Sequence, residues 1–101
     1  MKPLDQSERE TARWIALDAL YHGGGYEVAE RLILSVLQAV PLNCTAADVR
    51  AHLGYLESLH LARVVKLPDG GRLAAITSVG TDVVEYNADC PAGIARPKKY
   101  W

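Results

Sequence analysis

The chain has 101 residues, of which 50% are hydrophobic, and its formal net charge is −1. This length suits one domain with its own core, and a charge so close to neutral favours by itself neither nucleic acid nor an acidic lipid surface as a partner. No apolar run approaches the ~20 residues that cross a bilayer, and the polar start MKPLDQSERE is unlike a signal peptide, so we expect a soluble, cytoplasmic protein without a membrane partner. We expect Cys44 and Cys90 to be separate free thiols.

The first half of the chain predicts two helices. The first runs from Glu8 to His22, begins with a capping box of Ser7 and Glu10, and ends at the three glycines 23–25. The second lies in YEVAERLILSVLQAV, where Pro41 ends it. Its apolar residues repeat at helical spacing as a single stripe: Ala29, Leu32, Ile33, Val36, Leu37 and Val40.

A third helix follows Thr45, the predicted N-cap, with Asp48 at the third helical position. The stripe that it is expected to bury consists of Val49, Leu53 and Leu56. The helix is expected to end near residues 59–60.

A β-hairpin comes next. VVKL and RLAAIT are β-prone, and PDGG between them is a turn in which Pro68 presets φ, Asp69 takes the second corner and a glycine takes the left-handed position. Thr77 then caps a short fourth helix that ends near Tyr86. We expect residues 1–89 to form the domain and residues 90–101 an extended tail. The charge is uneven, with −3 over residues 1–49 and +2 over residues 50–101, the half that contains the hairpin.

The order of these elements predicts a mainly α fold with a β-hairpin wing, the winged helix-turn-helix. In that plan the second helix braces the third, the third enters the DNA major groove, and the hairpin reaches the adjacent backbone.

A resemblance adds to this prediction. The stretch Val28–Glu85 resembles winged-helix transcription regulators of the broad ArsR, MarR and PadR-like group. Tyr55-Leu56-Glu57 and Leu59-His60-Leu61 match the family's "yLe.lgLv" helix ending, and Ile76-Thr77 with Gly80 match its "lT..G" exit from the wing. His60 stands where the family usually has glycine, and histidine tolerates the left-handed conformation better than most side chains.

More narrowly, the whole chain resembles small winged-helix proteins of Mu-like prophages. Their ends tend to read PGI.RP..YW, and this chain ends CPAGIARPKKYW. The resemblance implies the winged-helix fold and a phage context.

On this plan, the residues that contact DNA lie on the third helix and the hairpin. Lysine and arginine supply the phosphate contacts, small residues on the helix lie close to base edges, and the first-turn N–H groups at the N-cap hold a phosphate. The candidates are Thr45, Ala47, Arg50, Ala51, Gly54, Tyr55, Arg63, Lys66 and Arg72. The alternative is that the charges are ordinary solvated side chains and the smooth face packs against protein.

A homodimer would double the phosphate contacts. Trp14, Leu17 and Tyr21 form a second apolar stripe on the first helix, and the tail supplies further apolar residues to clasp a neighbour: Ile94, Tyr100 and Trp101. The alternative is that both stripes are buried within one molecule and that the tail lies over its own domain.

The sequence predicts no metal, no cofactor and no enzymatic activity. Part of the ArsR-like group senses metals, but here no Cys-x-Cys occurs and the histidines at 22, 52 and 60 show no paired ligand spacing. No nucleophile lies beside a base in a motif, and GGG follows a helix rather than a strand. We therefore expect a prophage-type transcriptional regulator that binds duplex DNA, sequence-specifically or not, as a dimer. The alternative is a winged-helix protein–protein interaction module without DNA binding.

Overall fold

A computed structural model of the chain describes residues 4–40 and 42–99. In chain order the elements are α1 (Leu4–His22), β1 (Val28–Ala29), α2 (Glu30–Gln38), α3 (Ala46–Ser58), β2 (Ala62–Lys66), β3 (Arg72–Ile76) and α4 (Ser78–Val84). The strands form one antiparallel sheet in the order β1-β3-β2. The described residues therefore form a small α/β fold with four helices and a three-stranded sheet, in which all the predicted helices and the hairpin are present.

The first helix begins earlier than the sequence predicts. Since α1 starts at Leu4, Ser7 and Glu10 lie inside the helix, and the predicted capping box between them is wrong. Asp5 takes the acidic first-turn position instead, where it complements the helix dipole. Glu10 is buried, and its carboxylate accepts a hydrogen bond from Gln6 at 3.2 Å.

The second helix begins later than predicted, because the two residues before it join the sheet as β1. Val28 pairs with Ala74 and Ala29 with Leu73, which places β1 at the edge beside β3. This strand was not predicted, because only its pairing with β3, more than forty residues away, makes these two residues a strand.

The apolar stripe predicted for α2 is only partly buried. Ile33 and Leu37 are fully buried, whereas Leu32 and Val36 are 54% and 43% exposed. The neighbours of α2 are α1, α3, β1 and β3. These elements cover the side of α2 that carries Ile33 and Leu37, and they leave Leu32 and Val36 of the same stripe exposed.

The start and end of α3 are confirmed. Thr45 Oγ1 accepts the Asp48 N–H at 3.2 Å, while the Thr45 N–H donates to the Asp48 carboxylate at 3.0 Å, the predicted reciprocal cap. The stripe that α3 buries includes the predicted Val49, Leu53 and Leu56. His60 follows the helix in the left-handed region at φ 63°.

The hairpin has the predicted turn. The ladder runs from Ala62 paired with Ile76 to Lys66 paired with Arg72. At the tip the Gly70 N–H donates to the Leu67 carbonyl at 3.0 Å, and Gly70 is left-handed at φ 90°. Glycine suits that position because it has no Cβ to clash.

Beyond the hairpin, α4 packs tightly on the chain that leaves α3. Thr77 caps α4 by accepting the Gly80 N–H at 3.1 Å, as predicted, and the helix ends at Val84 rather than near Tyr86. Gly80 is buried, and a Cβ there would collide with the carbonyl oxygen of Leu61. The base of the hairpin is therefore fixed by a contact that only glycine allows.

The tail packs on its own domain. Ile94 is buried in the core, and the Ala95 N–H donates to the Glu10 carbonyl at 3.1 Å. The Arg96 guanidinium donates to the carbonyls of Val83 and Ala88 at 2.8 and 2.9 Å. Up to residue 99 the tail has no helix or strand, as an extended segment should, but it is anchored to α1 and α4.

We predict opposite effects of alanine at two glycines. Gly80→Ala will lower the free energy of unfolding by about 1–3 kcal/mol, because the new methyl group has no room against Leu61. Gly54→Ala will raise it by about 0.5–1 kcal/mol, since Gly54 lies in α3 with open space around it and alanine favours helix. Urea denaturation of both variants measures this. A Gly80 variant as stable as the parent chain contradicts the close packing.

Candidate nucleic-acid interface

The exposed surface of α3 carries the small residues that the sequence predicts for it. Ala47, Ala51 and Gly54 are all exposed, as is Arg50 on the same helix. The hairpin turn lies beside this surface, since Arg50 Nη2 donates to the Gly70 carbonyl at 3.0 Å. The helix and the hairpin tip thus share one edge of the molecule.

Arg50 is already paired within the chain. Its Nε donates to Glu30 Oε2 at 3.0 Å and its Nη2 to Glu30 Oε1 at 2.7 Å, a two-pronged ion pair with the first residue of α2. These hydrogen bonds lower the pKa of Glu30 and raise that of Arg50. Arg50 thereby joins α2, α3 and the hairpin turn, a contact that we call the Arg50 clasp. No local sequence pattern indicates this contact, because Glu30 and Gly70 each lie twenty residues from Arg50.

The three cations predicted on the hairpin divide between its two faces. Lys66 and Arg72 are paired across the ladder and therefore share a face. Side chains alternate along a strand, so Arg63, three residues before Lys66, lies on the other face. Of the three candidates, Arg63 is therefore separated from Lys66 and Arg72 by the sheet itself.

Arg72 lies on the same side as Arg50. Its Nη1 donates to the carbonyls of Gly70 and Gly71, and the first of these carbonyls also accepts from Arg50. A shallow depression beside it is lined by Glu30, Arg31, Asp69 and Arg72 together with neighbouring residues of β1 and the turn. Arg31 is exposed and belongs to this cationic edge, although it was not among the predicted contacts.

The N-terminus of α3 is closed by a carboxylate of the chain. Thr45 was expected to hold a phosphate there, but its hydroxyl accepts the Asp48 N–H and its own N–H is taken by the Asp48 carboxylate. Both hydrogen bonds lower the pKa of Asp48. A phosphate at this position would meet an anion, so the structure does not favour Thr45 as a phosphate contact.

Tyr55 holds the tail instead of facing outward with Arg50. Its hydroxyl donates to the Ala92 carbonyl at 3.0 Å, and the guanidinium of Arg13 stacks 3.9 Å from its ring centre. Arg13 in turn donates to the Gly93 carbonyl at 3.0 Å. Tyr55 is half-buried by these contacts, and its expected place among the DNA-contacting residues is corrected.

The predicted dimer residues are largely used within the monomer. Leu17 is fully buried and Ile94 nearly so, because α1 packs against the other helices and β3 and the tail covers part of it. Trp14 and Tyr21 are half-buried against the same core. The predicted Tyr100 and Trp101 lie outside the described residues. Leu17 and Ile94 therefore cannot form a surface for a second copy, which corrects that part of the prediction.

Comparison of the chain with models of protein families, with curated proteins and with solved structures finds no match.

The two cysteines are free thiols, and burial raises the pKa of each. In residues 4–40 and 42–99, no three His, Cys, Asp or Glu side chains are grouped to hold a metal ion, and no helix is both long and apolar enough to span a membrane.

His52 is a buried titratable residue on the inner side of α3. It is 6% exposed and lines a groove of about 320 Å³ between α1 and α3, together with Arg9, Arg13 and Asp48. Burial lowers the pKa of His52, and the charge of Arg13 lowers it further, against a weaker opposing effect of Asp48. The imidazole is therefore held neutral in the folded chain at a pH where an unfolded chain would bind a proton.

We predict that His52 makes stability depend on pH. Below the unperturbed histidine pKa of about 6.5, the unfolded state binds a proton at His52 that the folded state does not bind. The free energy of unfolding therefore falls as the pH is lowered from 7.5 to 5.5, with a slope that reaches at most ~1.4 kcal/mol per pH unit. His52→Gln will remove most of this slope, measured by urea denaturation at several pH values. His60→Asn, at an exposed and left-handed position, is the control and will keep it. An unchanged slope in the His52 variant contradicts the assignment.

Proposed function

We propose that this chain is a winged helix-turn-helix protein that binds duplex DNA, with α3 in the major groove and the hairpin as the wing on the adjacent backbone. The observation that carries the proposal is the shared edge of α3 and the hairpin tip. Arg50 on α3 and Arg72 on β3 donate to the same Gly70 carbonyl. The two guanidinium groups are therefore close enough for one duplex to lie against both.

The shape and charge of this edge support the proposal. Ala47, Ala51 and Gly54 leave the exposed side of α3 free of bulky groups, which allows close approach to base edges. Lys66 and Arg72 have no carboxylate partner among the described side chains, and they face the same way. These two cations are the phosphate contacts that we expect from the wing.

A regulatory role in a phage context, with two copies on DNA, completes the proposal. The phage context rests on the resemblance of the chain end to proteins of Mu-like prophages. Two copies would double a modest number of phosphate contacts and match two half-sites. The dimer stays a prediction, and its surface excludes Leu17 and Ile94, which are buried.

The second candidate is a protein-interaction module on the same scaffold. Two observations favour it: Leu32 and Val36 are exposed one helical turn apart on α2, and the carboxylate of Glu30 already pairs with Arg50. An exposed apolar pair suits a protein surface better than a phosphate backbone. Measured affinity for duplex DNA separates the two candidates.

We predict that the wing cations determine the salt dependence of DNA binding. Wild type will bind a mixed-sequence duplex at low salt, and Lys66→Ala with Arg72→Ala will weaken binding and reduce the slope of log K against log[salt] by about 2. Fluorescence anisotropy between about 50 and 200 mM salt measures both quantities.

Arg63→Ala is the matched control for this experiment. It removes one positive charge from the same hairpin, but on the opposite face. Affinity and slope will therefore change far less than in Lys66→Ala or Arg72→Ala, each of which is also measured as a single variant. If the wild-type chain does not bind duplex DNA at low salt, the proposed function is wrong. If Arg63→Ala weakens binding as much as Arg72→Ala, the assigned face is wrong.

A further inference from the structure

The ion pair of Arg50 and Glu30 has the form in which a guanidinium binds phosphate. Two adjacent nitrogens of Arg50, Nε and Nη2, donate to the two oxygens of one carboxylate at 3.0 and 2.7 Å. Arginine binds carboxylate and phosphate through the same planar fork of N–H donors. Glu30 therefore occupies the place at Arg50 that a phosphate oxygen pair would take.

The remaining donors of Arg50 leave little for another anion. Its Nη2 also donates to the Gly70 carbonyl at 3.0 Å, so both N–H groups of Nη2 and the single N–H of Nε are used. Among the described residues, Nη1 has no partner. A duplex at this surface can therefore bind only Nη1 of Arg50. A two-pronged contact with phosphate through Nε and Nη2 requires that the Glu30 carboxylate first dissociates from them.

Glu30 is well placed both to hold Arg50 and to release it. Its side chain is only 20% exposed, which restricts it to the neighbourhood of Arg50. It is the first residue of α2, where the helix dipole stabilises a negative charge, and the charge of Arg72 also acts on it. Burial and the charge of Asp69 act in the opposite direction, so a Glu30 carboxylate that loses Arg50 keeps only part of its favourable electrostatic environment.

We propose that Glu30 competes with duplex-DNA phosphate for the guanidinium of Arg50 and thereby lowers the affinity of this edge for DNA; the inference rests on the proposed function. A duplex that offers phosphates alone exchanges one ion pair for another at Arg50, so this residue adds little to its affinity. Net affinity then depends on what Lys66, Arg72 and base-edge contacts add.

The test is a double-mutant cycle of Glu30→Gln and Arg50→Gln, measured by anisotropy with one mixed-sequence duplex at fixed salt. Glu30→Gln will tighten binding on the order of tenfold and steepen the salt slope by about 1, because Arg50 becomes free for phosphate. Arg50→Gln alone will change affinity little. In the Arg50→Gln background, Glu30→Gln will give only a small fraction of its gain.

Asp82→Asn is the matched control. Asp82 is an exposed carboxylate on α4, a helix that packs on α1 and β3, and within the described part of the chain its side chain makes no ion pair or hydrogen bond. Its neutralisation changes the net charge by the same amount and will leave the dissociation constant nearly unchanged.

Thermal melting of every variant checks folding. The cycle is also repeated with alanine at positions 30 and 50, so that its result does not depend on either glutamine.

Three outcomes overturn the inference, and they differ in what they say about DNA binding. If the gain of Glu30→Gln persists without Arg50, the carboxylate acts by long-range repulsion and not by competition. If wild type binds and Glu30→Gln binds equally or more weakly, Glu30 positions Arg50 and the DNA-binding function stands. If neither wild type nor any variant binds duplex DNA, the inference falls together with the proposed function.

Discussion

The guanidinium of Arg50 joins three elements at one edge of the molecule: α2, α3 and the hairpin turn. A two-stranded hairpin is marginally stable by itself, so the direction of its tip depends on tertiary contacts. Its base is fixed by the packing of Gly80 against Leu61, and its tip by the bond from Arg50 to Gly70. Because Glu30 binds the same guanidinium, the hairpin turn, α2 and α3 form one continuous surface.

Carboxylates on this side of the molecule serve the fold. Glu30 binds Arg50, Asp48 closes the N-terminus of α3, and the carboxylate of Glu57 accepts the Val64 N–H at 3.1 Å on the free edge of β2. A bond of this kind covers an edge strand that would otherwise offer unpaired backbone groups. A count of charges treats such residues as free anions that repel DNA, whereas each of them is an acceptor for a donor that the fold brings to it.

Features set by neighbouring residues were predictable from the sequence, and features set by distant partners were not. The cap of Thr45, the hairpin turn at Gly70 and the left-handed His60 each depend on a few consecutive residues, and all three are present. The strand β1 and the Arg50 clasp depend on partners twenty or more residues away, which no local pattern reveals. Of the candidate site, α3 and the hairpin were therefore predictable, but not the carboxylate that binds Arg50.

The apolar pattern of α1 shows why surface and core are hard to separate in a small domain. A helix packed on several sides needs apolar residues on more than one face, and its second stripe looks the same as a surface for a partner. Here Leu17 meets the core and the tail adds Ile94 to it, while Leu32 and Val36 of α2 remain exposed. The position of a residue on a helical stripe identifies which residues lie together; only the arrangement of the neighbouring elements determines whether that stripe is covered by the same chain.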